Sequence, residues 1–306
     1  MKPVLSEEAR RKLRAALTLP VAWDAPLASH TSLGIGGPAE ALVTVVDCSE
    51  LAALLTLAAE HAWPWRVLGK GSNLLIDDDG LAGITIILGQ DFRRLEQIDE
   101  RLIRAGAACA LPALSHFCRE KGLAGLEFAA SIPGGVGGAV RMNAGANGCQ
   151  IADCLTEIEL RGTDGPIIVS AQASRFAYRA WLDADQWRGR AVIVAARFTL
   201  RPDEPQAIAA RMDWYRGQRG ERQPKAAASA GSFFKNPPGD SAGRLIDACG
   251  LKGLRVGDAM VSPAHANFFV NIGAATAADM RELARLVRRE VFNRHGVQLE
   301  QEVETW

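Results

Sequence analysis

Two glycine-rich turns hold the residues best able to meet a ligand with backbone alone. SIPGGVGGAVRMNAGANG, residues 131–148, carries Gly134, Gly135, Gly137, Gly138, Gly145 and Gly148, with Arg141 as its one charged residue. LGKGSN, residues 68–73, sets Gly69 and Gly71 beside Ser72 and Asn73. Glycine leaves no Cβ between peptide and ligand, and successive backbone N–H groups can form a concave anion site. Neither stretch is a standard fingerprint: Gly135 and Gly137 are followed at the third position by Val140 rather than glycine, and no GxxxxGK[ST] loop is present. Spacing alone leaves two readings open, a pair of tight turns or a ligand wall.

Other reactive side chains are less telling by themselves. Glu300, Glu302 and Glu304 alternate with Val297, Leu299 and Val303 in GVQLEQEVETW, so a strand there would put the three carboxylates on one face. That pattern does not choose among them. Arg219 and Arg222 in RGERQP follow a helical pattern, where cations are favourable or simply solvated. Six cysteines contain no CxxC pair and do not alternate with histidine at metal-ligand spacing, which predicts reduced thiols and no metal site.

The elements that must position these groups alternate between α and β. Ser6 with Glu7 and Glu8 predicts a capped helix to about Leu19, ended by Pro20. Residues 39–46 read as a strand, Ser49 as the cap of a helix stopping before Pro64, and WRVLGKGSNLLI as strand, turn, strand. A short strand at 83–88 and a helix at 110–120 precede the long glycine stretch, which runs from turn into helix near Gly137. CLTEIEL, PIIVS and AVIVAARFTL then read as strands. RPDEP at 201–205 is a polar break before a helix to about Arg219. NFFVNI reads as a strand, and Met280, Leu283, Val287 and Val291 line one helix face opposite Arg281, Arg285 and Arg288.

Bulk properties exclude several classes. The 306 residues carry 35 basic and 35 acidic side chains, so no long-range field favours nucleic acid or an anionic membrane. The first residues are too charged for a secretory signal, and no apolar run approaches membrane-span length. A cytoplasmic, soluble protein of two domains is expected.

Several stretches together resemble the UDP-N-acetylenolpyruvoylglucosamine reductases, the MurB family. They are HTSLGIGGPAE, VLGKGSNLLI, GLEFAASIPGGVGGAVRMNAGANG, FAYR, SAGSFFKNP, AGRLIDACGLKGLRVGDAMVSPAHANFFVN and GVQLEQEV, in the family's order over nearly the whole chain after the first helix. The resemblance implies an α+β fold of the vanillyl-alcohol-oxidase type that holds FAD. Its implied layout is an N-terminal helix at 1–20, a FAD-binding domain of two α+β subdomains at 21–200, split near 76–88, and a substrate-binding domain at 201–306.

It further implies NADPH as co-substrate, no metal, and reduction of UDP-N-acetylglucosamine enolpyruvate to UDP-N-acetylmuramate in peptidoglycan precursor synthesis. Arg179, Ser232 and Glu302 match the family's catalytic positions, with Ser232 as proton donor and Lys235 expected near it. Gly69, Gly71, Ser72, Asn73, Ser131, Ile132, Pro133, Gly134, Gly135, Gly137, Gly138, Asn143 and Arg219 match cofactor contacts. Met142 and Ala144 extend that wall. Tyr178, Arg222, Asn236 and Asn267 match substrate contacts. Gly34, where many relatives carry arginine, and Ala180 and Trp181, where a small polar residue is usual, depart from the pattern. The 53 residues from Arg179 to Ser232 (232 − 179) resemble the short family form without a tyrosine-bearing loop. A related flavin oxidoreductase with another substrate, or a flavin-binding module without turnover, are the alternatives.

Overall fold

A computed structural model describes residues 3–222 and 228–306, with side chains for all of these except 219–222. Its first helix, Glu7–Ala16, begins where the Ser6 hydroxyl accepts the Ala9 N–H at 3.2 Å, and it stops at Ala16 rather than Leu19 because Leu17 is already extended. The second helix, Cys48–Glu60, is capped by Asp47 and not by Ser49. The Asp47 carboxylate accepts both the Ser49 and Glu50 N–H groups at 2.8 Å, so one side chain satisfies two otherwise orphaned donors.

These helices cover a four-stranded sheet in the order Ala22–Pro26, Pro38–Val45, Leu81–Leu88, Trp65–Val67. Its first pair is antiparallel and the others parallel. Leu13, Val43, Leu51, Leu54, Ile84 and Ile86 form the core between helices and sheet. Ala107, Val192 and Val194 from the next sheet join the same cluster, so the two units share apolar packing.

The second sheet is antiparallel throughout, in the order Gly165–Ser170, Leu155–Gly162, Ala191–Thr199, Leu102–Gly106, Leu95–Gln97. The helices Leu111–Glu120 and Val136–Arg141 pack on it through a core that includes Leu114, Phe128, Val140, Ile158 and Phe198. Between its strands 165–170 and 191–199 the chain makes a separate hairpin, Phe176–Ala177 with Ala180–Trp181. The helix Pro205–Arg222 then lays Ile208 and Met212 against Ala124 and Ala130.

A third, antiparallel sheet runs Ala228–Ser232, Phe268–Asn271, Ala259–Val261, Arg255–Val256. The helices Ala242–Ala248 and Ala277–His295 cover it, the latter burying the periodic Met280, Leu283, Val287 and Val291 completely. Phe233, Phe234 and Phe269 fill the centre, with Phe233 stacked on Phe269 at 4.3 Å between ring centres.

Residues 297–303 do not form the expected strand; a lone bridge joins Gln301 to Phe234, although Leu299 and Val303 are buried as their alternation requires. The chain next crosses back to the first unit, where Glu304–Thr305 pairs in parallel with Leu74–Leu75. That return carries Glu302 to the LGKGSN turn. No helix among the described residues is long and apolar enough to cross a membrane, and they hold no cluster of metal-ligating side chains.

Candidate active site

Both glycine turns open onto one cavity of about 1020 Å³, whose wall also includes Arg179, Ser232 and Glu302. This volume lies at the upper end of small-molecule sites and suits an extended ligand. The glycines on its wall serve two different purposes. A Cβ on Gly71, at φ +59°, would sit 2.1 Å from the His30 carbonyl oxygen, and one on Gly137 would sit 3.1 Å from the Ala107 Cβ. Gly71 is demanded by packing within the protein, and Gly137 is packed tightly against it. A Cβ on Gly69 or Gly138 would meet no protein atom within 4 Å, so the bare backbone there faces open cavity.

Hydrogen bonding draws the same distinction. Val136 and Gly137 donate their N–H groups to Cys109 and Ala107 carbonyls at 2.9 Å. By contrast, the N–H groups of residues 69–73 and of Gly134 and Gly135 find no acceptor among the described residues. A run of consecutive unsatisfied N–H groups bordering a cavity is a ready site for a phosphate oxygen. The residues present therefore fit a dinucleotide such as FAD: amide donors for its pyrophosphate and a side-chain-free wall for a flat ring.

Arg179 sits in the two-residue turn of the 176–181 hairpin at φ +58°, a left-handed conformation rare outside glycine, asparagine and aspartate. Its Nε donates to Glu302 Oε1 at 2.9 Å, and its guanidinium lies 4.9 Å from the centre of the Tyr178 ring. Both charged side chains are mostly buried, at 19% and 13% exposure. Burial pushes the Glu302 carboxyl above the usual carboxylate range; the Arg179 charge and hydrogen bond, and Lys235 more weakly, oppose that rise without cancelling it. Glu302 is held in register by Asn73, whose Nδ2 donates to the Glu302 carbonyl at 2.9 Å.

Ser232 ends its strand just beyond a register shift at Gly231, φ +79°, which turns the residue toward the cavity. Its hydroxyl has no hydrogen-bond partner among the described residues. Lys235, expected beside it, instead pairs with Glu300 and is off the cavity wall. The reason is the hydrogen bond from Lys235 N–H to the Glu300 carbonyl at 2.8 Å, which aligns the two side chains.

Ile132, Pro133, Gly134, Gly135, Ser72, Asn73, Met142 and Ala144 all line the cavity. Other expected contacts lie off its wall. Ser131 returns its hydroxyl to the Phe128 carbonyl at 3.2 Å, and Asn236 accepts the Ala242 N–H at 3.1 Å. Asn267, 2% exposed, accepts the Phe234 N–H at 3.0 Å and donates to the Phe234 carbonyl at 2.8 Å, which commits both ends of its amide to bracing that backbone. Asn143 is fully buried and equally committed to protein partners. Tyr178 is 49% exposed beside Arg179. The side chains of Arg219 and Arg222 lie outside the described residues.

The departures have physical correlates. Gly34 adopts φ +66°, where an arginine would be strained. Trp181 is buried on the cavity wall, stacked on Phe176 at 6.1 Å. Sequence reasoning missed Trp65, Arg66, Trp187, Arg188 and Trp306, which also line the cavity. Arg66, over the Trp306 ring at 5.6 Å, has no carboxylate partner among the described residues, and burial and then Arg188 lower its pKa. Its one sequence signal is a cation inside a short apolar strand next to a glycine turn.

Comparison with known proteins adds independent findings. Residues 39–170 match a family described as an FAD binding domain, and residues 223–306 match the UDP-N-acetylenolpyruvoylglucosamine reductase C-terminal domain. UDP-N-acetylenolpyruvoylglucosamine reductase 2 of Symbiobacterium thermophilum is 46% identical over 92% of this chain and 90% of its own. The reductase of Geobacter sulfurreducens is 42% identical over 98% of each chain. The crystal structure of UDP-N-acetylenolpyruvylglucosamine reductase from Thermus caldophilus superposes with a TM-score of 0.80 at 40% identity, covering 94% of this chain and 99% of that one. Alkyldihydroxyacetonephosphate synthase, at 15% identity and a TM-score of 0.50 over 66% of this chain and 42% of its own, shares the fold.

Proposed function

The chain belongs to the UDP-N-acetylenolpyruvoylglucosamine reductase (MurB) family of FAD-dependent oxidoreductases, and on that premise we propose that it reduces UDP-N-acetylglucosamine enolpyruvate to UDP-N-acetylmuramate with NADPH, as a cytoplasmic step of peptidoglycan precursor synthesis. One observation carries the reading: a single cavity gathers both glycine turns with Arg179, Ser232 and Glu302, residues far apart in sequence. Residues 21–200 form the cofactor-binding part in this reading, and 201–306 the substrate-binding domain, which brings Ser232 and Glu302 to the cavity.

Residues 69–73 and 132–138 would hold FAD, which would supply two-electron hydride chemistry between NADPH and the enolpyruvyl group. The rest falls to side chains. Hydride at the β-carbon leaves negative charge on the α-carbon and the adjoining carboxylate. Arg179 grips that carboxylate through a planar guanidinium as charge accumulates. The Ser232 hydroxyl, with no competing partner among the described residues, delivers the proton to the α-carbon. Glu302, its carboxyl raised by burial, supports the acid role and sets the orientation of Arg179. Buried walls keep water from quenching the charged intermediate.

The test separates the two halves of the reaction by the flavin absorbance near ~450 nm. Ser232→Ala is expected to leave bleaching by NADPH intact and to slow recovery on adding the enolpyruvyl nucleotide by at least ~10²-fold. Equal slowing of both halves would remove Ser232 from the acid role. Wild-type protein that bleaches with NADPH but never recovers with the enolpyruvyl nucleotide would favour a flavin oxidoreductase with a different substrate.

A further inference from the structure

We propose that Asn143 is a positioning residue for Arg179, tethering the turn that carries the arginine to the helix that walls the cavity. The hairpin 176–181 belongs to none of the three large sheets. Among the described residues, two hydrogen bonds join residues 176–181 to the rest of the protein: Asn143 Nδ2 to the Ala177 carbonyl at 2.9 Å, and Arg179 Nε to Glu302 at 2.9 Å. The second is the pair that a substrate carboxylate must compete for, which leaves the Asn143 bond, beside the apolar packing of Phe176 and Trp181, to hold the hairpin during turnover. Ala177 and Ala180 are the pair closing the two-residue turn, so the tether ends at the turn that holds Arg179 at φ +58°. A strained turn keeps its geometry only when its surroundings over-determine it.

Asn143 is built for the task. It follows directly on the helix Val136–Arg141 and its cap Met142, and it takes φ +46°, which asparagine tolerates better than most residues. Its side chain is 0% exposed; the oxygen accepts the Ala152 N–H at 3.0 Å, and Nδ2 also donates to Gln150 Oε1 at 2.9 Å. The amide is thereby fixed in one orientation, with one hydrogen aimed at the hairpin. The same helix presents Gly137 and Gly138 to the cavity. One side chain thus ties the turn that carries Arg179 to the C-terminal end of that helix, without itself lining the cavity.

This inference rests on the proposed role of Arg179, and its test separates the two. Asn143→Gly removes the amide while suiting the left-handed backbone. In the apoprotein, hydrogen–deuterium exchange at residues 176–181 is expected to accelerate at least ~10-fold while the large sheets keep their protection. In the FAD-loaded protein, bleaching by NADPH is expected to stay within about threefold of wild type, and recovery with the enolpyruvyl nucleotide to slow at least ~10-fold. Added to Arg179→Ala, Asn143→Gly should have little further effect on recovery. Unchanged exchange, loss of FAD from folded protein, equal slowing of both halves, or additive losses would each overturn the proposal. Should Asn143→Gly be insoluble, Asn143→Asp, which keeps the acceptor for Ala152 and removes both donors, is read by the same measures. Wild-type protein that never recovers with the enolpyruvyl nucleotide would refute the function itself; a working wild type with a uniformly slowed variant refutes this inference alone.

Discussion

Gly138→Ala separates a ligand wall from a tight turn, because the two readings predict opposite signs. An alanine Cβ at this position meets no protein atom within 4 Å, and the residue lies inside the helix Val136–Arg141. Without cofactor the substitution should therefore stabilise the protein by about 0.5–1 kcal/mol, through reduced unfolded-state freedom and better helix propensity. In a chain of this size that raises the apoprotein Tm by about 1–3 °C. If the flavin lies against this wall, the same methyl intrudes on a close contact, and overpacking of this kind costs about 1–3 kcal/mol. The FAD Kd should rise about 5- to 150-fold. Flavin fluorescence titration and a thermal melt of the same sample read both quantities. Gly71→Ala is the control: its Cβ would fall 2.1 Å from the His30 oxygen, so it should destabilise the apoprotein. A Gly138→Ala protein that melts higher and binds FAD as tightly as wild type would show that this backbone is not the flavin's wall.

Burial raises the Glu302 carboxyl, so the native state holds that proton more tightly than the unfolded chain does. The resulting cost of ionisation is absent below the ordinary carboxylate range and complete above the raised native value. The Tm of Glu302→Gln relative to wild type should consequently climb as pH goes from about 4 to about 7, and a flat or falling difference would contradict it. Asn267→Ala strands both the N–H and the carbonyl of buried Phe234 and should cost about 2–4 kcal/mol, seen as a lower urea midpoint with unchanged slope.

What was legible in the sequence was what local chemistry decides. The period of Met280, Leu283, Val287 and Val291 fixes a helix face without reference to the rest of the fold, and the helix Ala277–His295 follows it. Asp47 outcompeted Ser49 as a cap because its carboxylate reaches two N–H groups at once, a geometric advantage that residue type alone does not reveal. The glycine stretch needed the order of its neighbouring motifs before it could be read, and the structure divides it further: Gly137 packs tightly on Ala107, while a Cβ on Gly138 would meet nothing in the protein within 4 Å. Asn143 and Asn267 illustrate the opposite difficulty. A motif can mark an asparagine as important, yet whether its amide faces a ligand or a strand carbonyl depends on residues such as Ala177 and Phe234 that only tertiary structure brings near.

The two-residue parallel ladder between Leu74–Leu75 and Glu304–Thr305, with the Asn73 to Glu302 bond spanning 229 positions, acts as a fastener whose halves are made at opposite times. These few hydrogen bonds join segments that meet only once the first and third units have both formed, so they should be among the last contacts to form and the first to open. The sheets can be complete while Glu302 is still away from Arg179. Competence for chemistry is then a later event than folding, and gentle heating should extinguish turnover before any of the three large sheets loosens.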